Sequence, residues 1–234
     1  MPDLFEIFRT QPDKYDLLVS REDWEGNLLS AMAAITDLRD AAVVEFGAGT
    51  GRVTRLLAPL ARSISAFDVS QPMLDVAARR LREAGYANWQ IAVGDHRAVA
   101  AQSGGADLAV AGWTVCAIVV ATENWEPEIR RALDEMRRVL RPGGTLIVIE
   151  TLGTGWESPN PPDSLRPYLG FLAEAGLRQT WIRTDYRFAS LPEARDLTEF
   201  FFGPEPLDAL VSTDGGVLLP ECTGLWWSVK ESAA

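Results

Sequence analysis

Apolar positions along this chain follow three rhythms in succession. Trp24, Leu28, Met32, Ile35 and Leu38 recur at helical spacing, and Ser20-Arg21-Glu22-Asp23 ahead of them has the form of a capping box. A helix is therefore expected to start there and lay one face on the core. From residue 41, short unbroken apolar runs alternate with amphipathic stretches. Val43–Phe46, Ile64–Phe67, Trp89–Val93, Ala106–Ala111 and Thr145–Thr151 read as strands. Helices are expected between them around Val53–Leu60, over Met73–Ala84, and from Pro127 through Leu133, Met136 and Leu140 to a stop at Pro142-Gly143-Gly144. In the last third, Leu165–Ala175 reads as a helix closed by Gly176. Leu177–Phe188 and Gly224–Val229 read as two longer strands that pair antiparallel, with Phe200–Phe202 between them on a helix or loop able to cap a pocket.

Strands that are apolar at successive positions are covered on both faces, and strictly alternating strands and helices place them in parallel. The expected fold is thus α/β: a doubly wound, mostly parallel seven-stranded sheet with an antiparallel C-terminal strand. With 234 residues the chain suits one domain. Residues 1–40 form an N-terminal helical lid, 41–152 the ligand-binding half, and 153–234 a substrate-side half that completes the sheet.

Composition narrows the partners. A net charge of −11 repels phosphate backbones and anionic lipid, so neither nucleic acid nor a membrane surface is expected. Apolar runs such as Asp107–Val120 are too short to span a bilayer. The start, Met1-Pro2-Asp3-Leu4-Phe5-Glu6, has neither a basic nor an apolar stretch, and Cys116 and Cys222 sit in no paired spacing. A cytoplasmic protein with reduced thiols is expected. With His96 the single histidine, no histidine-based zinc site can form, and no metal is called for.

The chemistry starts at Glu45-Phe46-Gly47-Ala48-Gly49-Thr50-Gly51, where the first strand meets its helix. Glycines at such a junction let the backbone turn sharply and approach a ligand in the crevice beyond the strand ends. A dinucleotide fingerprint needs a third glycine at position 52, where Arg52 stands, and no phosphate-loop Gly-Lys-Ser/Thr occurs. Val44–Gly51 resembles the first motif of class I S-adenosylmethionine (SAM)-dependent methyltransferases. Ala66-Phe67-Asp68-Val69-Ser70-Gln71-Pro72-Met73-Leu74, Gly94-Asp95-His96 and Leu140-Arg141-Pro142-Gly143-Gly144-Thr145-Leu146 resemble that family's later signatures, in the family's order.

The resemblance implies a Rossmann-like methyltransferase fold that uses SAM to methylate a small molecule at oxygen, nitrogen or carbon. It implies that Asp68, at the end of strand two, holds the ribose hydroxyls, and that Asp95 reads the adenine amine. Val69 and Met73 flank the adenine ring, while Glu45 orders the amides of the glycine turn or reaches the methionine amine indirectly. Tyr15, Gly47, Ala48, Gly49, Gly51, Gly94, His96, Gly112 and Trp113 complete the expected cofactor set. His96 and Glu150 are the candidate bases. Tyr15, Trp113, Trp156 and Tyr168 are the candidate substrate contacts. Asn160-Pro161-Pro162-Asp163 looks like the motif of amino-methylating DNA enzymes, but it follows strand five instead of strand four and reads as a loop. Competing readings are an NAD(P)-dependent oxidoreductase, which lacks a Tyr-x-x-x-Lys pair here, a non-catalytic SAM-binding protein, and an enzyme transferring another part of the cofactor. A monomer or homodimer is expected.

Overall fold

In a computed structural model, which describes residues 3–231, the chain begins with three short helices, α1 (Leu4–Thr10), α2 (Pro12–Val19) and α3 (Asn27–Ile35). An alternating series follows: β1 (Ala42–Phe46), α4 (Arg52–Leu57), β2 (Ser63–Asp68), α5 (Gln71–Glu83), β3 (Trp89–Val93) and β4 (Ala106–Gly112). Next come α6 (Cys116–Ala121), α7 (Trp125–Val139), β5 (Leu140–Thr154), α8 (Arg166–Glu174), β6 (Arg178–Arg183) and β7 (Tyr186–Phe188). Last are α9 (Leu191–Phe202), β8 (Val211–Thr213), β9 (Gly216–Leu219) and β10 (Glu221–Val229).

The main sheet has seven strands in the order β3-β2-β1-β4-β5-β10-β6. Strands β1 to β5 run parallel, and β10 slots antiparallel between β5 and β6. Alternation along each central strand explains the double winding. Val44, Ala109, Ala111, Leu146 and Val148 face α7 and α8, where Ile129, Leu133, Met136 and Leu172 pack. Their neighbours Val43, Leu108, Val110, Ile147 and Ile149 face Leu28, Met32, Val53 and Leu57 of α3 and α4. Strand order reverses between β1 and β4, so the C-terminal ends of these two strands open the crevice.

Several boundaries differ from expectation for identifiable reasons. Ser20–Asp23 does not open the helix as a capping box. Ser20 ends α2, and Asp23 caps α3 by accepting from the Asn27 and Leu28 amides at 2.8 and 3.1 Å. Trp24 is largely exposed under Arg187. Helix α7 ends at Val139, where Lys230 Nζ from the end of β10 donates to the Arg137 and Leu140 carbonyls, both at 2.7 Å. The run Leu177–Phe188 breaks at Thr184-Asp185. Its first half joins β10, while β7 leaves for a second sheet, β7-β9-β8, that packs with Leu18 of α2 and Leu197 of α9. No glycine or proline marks that break. It is made by Asp185, whose carboxylate pairs with Arg183 and accepts from the Glu221 amide.

Helix α2 is fastened over the sheet end by one buried side chain. Asp16 accepts from Arg55 of α4 at 3.1 Å and from Arg80 of α5 at 2.7 Å.

Candidate functional site

The turn between β1 and α4 is held by the end of β2. The Gly47 and Ala48 amides both donate to the Phe67 carbonyl, at 2.7 and 2.9 Å. The Gly49 amide donates to Asp68 Oδ2 and the Ser70 amide to Oδ1, each at 2.8 Å. Gly47 has φ +71°, and a Cβ there would lie 1.9 Å from Thr114 Oγ1, so only glycine fits. Asp68 thus braces the turn, and each carboxylate oxygen keeps a second lone pair for a ligand.

A cavity of about 70 Å³ opens above this turn. Phe8, Tyr15, Glu45, Gly47, Ala48, Gly49, Asp68, Met73, Gly112, Trp113 and Thr114 are among its walls. Most of the cofactor set expected from sequence therefore meets in one place. Glu45 does so differently from expectation. Its Oε2 accepts from Thr54 Oγ1 at 2.6 Å and takes none of the turn's amides, of which those of Gly47, Ala48, Gly49 and Gly51 have partners elsewhere. Burial pushes its carboxyl up to about 8, so it is mostly uncharged at neutral pH.

The other residues expected to bind the cofactor are placed apart from the cavity. Gly51 lies behind the turn, where an added Cβ would meet Ala77 of α5 at 3.0 Å. Val69 is exposed beyond β2. Gly94 backs onto the Phe67 ring and donates its amide to the Asp68 carbonyl. The Asp95 carboxylate is engaged by Arg97, whose hydrogen bonds hold it down to about 2. His96 does not line the cavity either. It shares a 2.7 Å hydrogen bond through Nε2 with Thr114 Oγ1, and burial lowers its pKa, so the ring is neutral at pH 7. The side chain at the cavity is Thr114, which His96 braces. This corrects His96 as a base in direct reach of a ligand.

A second cavity, of about 650 Å³, adjoins the first and shares Phe8, Tyr15, Val19, Arg52 and Trp113 with it. Tyr15, Trp113 and Trp156, three of the four candidate substrate contacts, line it together with Phe201 and Phe202 at the end of α9. Residues 160–166, including the Asn160–Asp163 loop, form one wall. Most of the lining is apolar, and the polar residues include Glu22, Arg52, Tyr186 and Glu221. Arg52 lies at the junction of the two cavities. Its guanidinium stacks on Trp113 with 3.8 Å to the ring centroid and pairs with Glu22 at 2.6 Å. Trp113 adopts φ +51°, a left-handed conformation that costs a bulky residue energy and is held by the hydrogen bond its N–H donates to the Ile149 carbonyl at 2.7 Å.

Reading the sequence missed this polar group. Arg52 entered only as the residue that breaks a dinucleotide fingerprint, and Glu22 as part of a capping box. The 30 positions between them hide their contact. The lone available signal was an arginine directly after a glycine turn, where a helix starting at the sheet's C-terminal edge must place it beside the crevice.

Two expected site residues lie elsewhere. Glu150 and Tyr168 are both fully buried and line neither cavity. Glu150 Oε1 accepts from the Tyr168 hydroxyl and from the Cys116 amide, each at 2.9 Å, and burial raises its carboxyl to about 7. They form a buried brace between β5, α8 and the start of α6. Tyr168→Phe is expected to lower stability by about 1–3 kcal/mol, because Glu150 loses a donor it cannot replace from solvent. Turnover per folded molecule should stay within a few fold. Denaturant melts beside an activity assay check this, and a large loss of turnover at unchanged stability would return Tyr168 to the site.

Comparison with known proteins fits this geometry. Residues 43–144 match the family model described as a methyltransferase domain. The chain is 23% identical over 214 residues to a demethylmenaquinone methyltransferase of Lactococcus lactis subsp. lactis (strain IL1403), covering 85% of this chain and 79% of the relative. It is 32% identical over 124 residues to a malonyl-[acyl-carrier protein] O-methyltransferase of Salmonella typhimurium (strain LT2), covering 53% of this chain and 44% of the relative. Among solved structures, a SAM-dependent methyltransferase from Aquifex aeolicus superposes with a TM-score of 0.56 at 16% identity, over 94% of this chain and 98% of that one. At that identity the likeness speaks to fold alone.

Proposed function

We propose that this chain is a class I SAM-dependent methyltransferase, whose two adjoining cavities hold SAM and a small-molecule acceptor for methyl transfer. One observation carries the reading. A glycine turn braced by the Asp68 carboxylate opens beside a large apolar cavity, with Trp113 and Arg52 common to both.

The residues present fit the cofactor. Asp68 has free lone pairs for vicinal hydroxyls, and Gly47, Ala48 and Gly49 bring backbone to the cavity wall. Met73 and Tyr15 supply apolar walls. Bound SAM supplies the activated methyl group. The chain's own work is to align the acceptor atom with it and keep water out. A cavity of about 650 Å³ suits a small molecule, since ordinary ligand sites span roughly 300–1,000 Å³. The acceptor in one relative's name, demethylmenaquinone, supports a small-molecule acceptor; the other relative's name gives a malonyl group borne on acyl-carrier protein. No helix among the described residues is long and apolar enough to cross a membrane.

The cavity at the glycine turn, about 70 Å³, is too small for a nucleoside. Its roof is α1, with Phe8 over the turn and the Phe8 carbonyl accepting from Ser70 Oγ at 3.3 Å. Cofactor entry therefore displaces α1, while α2 stays held through Asp16. Hydrogen exchange followed by mass spectrometry should show residues 4–10 changing protection on adding SAM, with residues 12–19 little altered. Identical exchange in residues 4–10 with and without SAM would remove α1 as the moving roof.

The decisive experiment is calorimetric titration with SAM, its demethylated product S-adenosylhomocysteine, and NADH. The expected result is micromolar binding of the first two and none of the third. Binding of NADH alone would overturn the reading in favour of an oxidoreductase.

A further inference from the structure

The acceptor cavity is mostly apolar, with polar lining from Thr151, Thr154, Asn160, Asp163, Ser164 and Arg166 and a group around Arg52 and Glu221 that is incompletely satisfied. Arg52 donates to Glu22 through Nη1, while Nη2 is buried with no partner among the described residues. Glu221, at the start of β10, accepts from Thr151 Oγ1 at 2.6 Å through Oε1, and its Oε2 is likewise buried without a partner. Both residues line the 650 Å³ cavity, and Arg52 also borders the cavity at the glycine turn. Buried polar atoms without partners cost about 1–3 kcal/mol each. A donor and an acceptor left open together beside an apolar cavity form a template for a ligand group that both accepts and donates.

We propose that Glu221 is the general base of the acceptor site, and that Arg52 and Glu221 together select an apolar acceptor carrying a phenolic or enolic hydroxyl. This rests on the methyl-transfer reading above. The acceptor oxygen takes a hydrogen bond from Arg52 Nη2 and gives its proton to Glu221 Oε2. That oxygen forms the new bond to the methyl carbon, and the carbon–sulfur bond breaks with its electron pair on sulfur. The sulfonium loses its positive charge as Glu221 loses its negative one. The products are a methyl ether and S-adenosylhomocysteine.

Charge counting separates this acceptor from its rivals. Glu22 already balances Arg52 and Asp163 balances Arg166, so a carboxylate acceptor would add an anion beside Glu22 with no cation left over. An ammonium would face the open N–H of Arg52 and be repelled. A neutral hydroxyl satisfies both open atoms. The titratable groups acting on Glu221 are Glu22, whose charge raises its pKa, and Arg52, whose charge lowers it; with burial the result is about 8. Tyr186 stays protonated because burial holds its pKa well up. Glu221 accepts a proton only when ionised, a form that grows as pH rises toward 8, so turnover rises over that range.

The test uses the full chain with 2-naphthol, 2-methoxynaphthalene and 2-naphthoate, each titrated without SAM by following quenching of tryptophan fluorescence. The expected result is 2-naphthol binding about tenfold more tightly than its methyl ether, with 2-naphthoate no better than the ether. Glu221→Gln keeps the shape and the bond from Thr151. It should bring 2-naphthol down to the level of the ether and leave the ether within twofold. With SAM present it should slow methylation of 2-naphthol by about 100-fold or more and abolish the rise of turnover toward pH 8. Equal binding of the naphthol and its ether, preference for naphthoate, or an unchanged pH profile in Glu221→Gln would each overturn the proposal. If the variant fails to fold, the wild-type preference among the three probes still decides. Calorimetric loss of SAM binding would instead sink the methyl-transfer reading, so the two failures are distinguishable.

Discussion

Raising the pH from about 5 to about 8 is expected to destabilise this protein by several kcal/mol. Three buried carboxyls carry raised pKa values, all through burial first: Glu45 to about 8, Glu150 to about 7 and Glu221 to about 8. In the unfolded chain each returns to about 4.3. Between those values the native state binds more protons than the unfolded state, so stability falls as pH rises. The contribution is fully present below about pH 4 and is lost as pH climbs through the folded values. For each carboxyl, every pH unit between its unfolded and folded values costs up to about 1.4 kcal/mol.

Opposing contributions are smaller or act elsewhere. Neutral, buried His96 has a lowered pKa, so its share of stability rises through the ordinary histidine range. Asp95, held down near 2 by Arg97, matters only in acid. The net charge of −11 hardly changes over this window, because exposed carboxylates are already ionised. Urea unfolding at pH 5, 6, 7 and 8 measures the effect, and a flat or rising profile would show that these groups titrate normally. Glu45→Gln keeps an acceptor for Thr54 and removes the charge, so it should lessen the slope and be more stable than wild type at pH 8.

Asp68→Ala is expected to weaken SAM binding by about 10–100-fold, from the roughly 1–3 kcal/mol lost when hydrogen-bond partners go unpaired. Two effects act together. The ligand's hydroxyls lose their acceptor, and the Gly49 and Ser70 amides lose the carboxylate that holds the turn. Calorimetry with SAM reads the loss directly. Asp68→Asn keeps one acceptor oxygen and should fall between the two. Affinity within twofold of wild type in the alanine variant would place the cofactor somewhere other than this turn.

How far these sites were readable from the chain follows from the range of the interactions. The glycine turn, Asp68 and Met73 lie within 27 residues on consecutive elements of one repeating unit, so local pattern located them. Glu150 and Tyr168 were misjudged because a polar residue near a strand's end can point into the core or into the crevice, and strand alternation alone does not say which. Here Tyr168, 18 positions later on α8, takes up the carboxylate and keeps it in the core. Arg52 was visible, but its role was not, since Glu22 and Trp113 reach it from opposite sides along the chain.

What the sequence determined by itself is the layered α/β sheet, the order of its elements and the glycine-turn motif with the acid that ends β2. Each rests on period, turn chemistry and neighbours in sequence, which operate over a few residues. Only the tertiary structure decided that Leu177–Phe188 divides between two sheets, that α1 roofs the glycine turn, and that Glu22, Arg52 and Glu221 meet at one apolar cavity. Those three residues span 199 positions and share no pattern. They are brought together because β10 enters the sheet antiparallel beside β5, delivering its first residue to the crevice that the parallel strands opened.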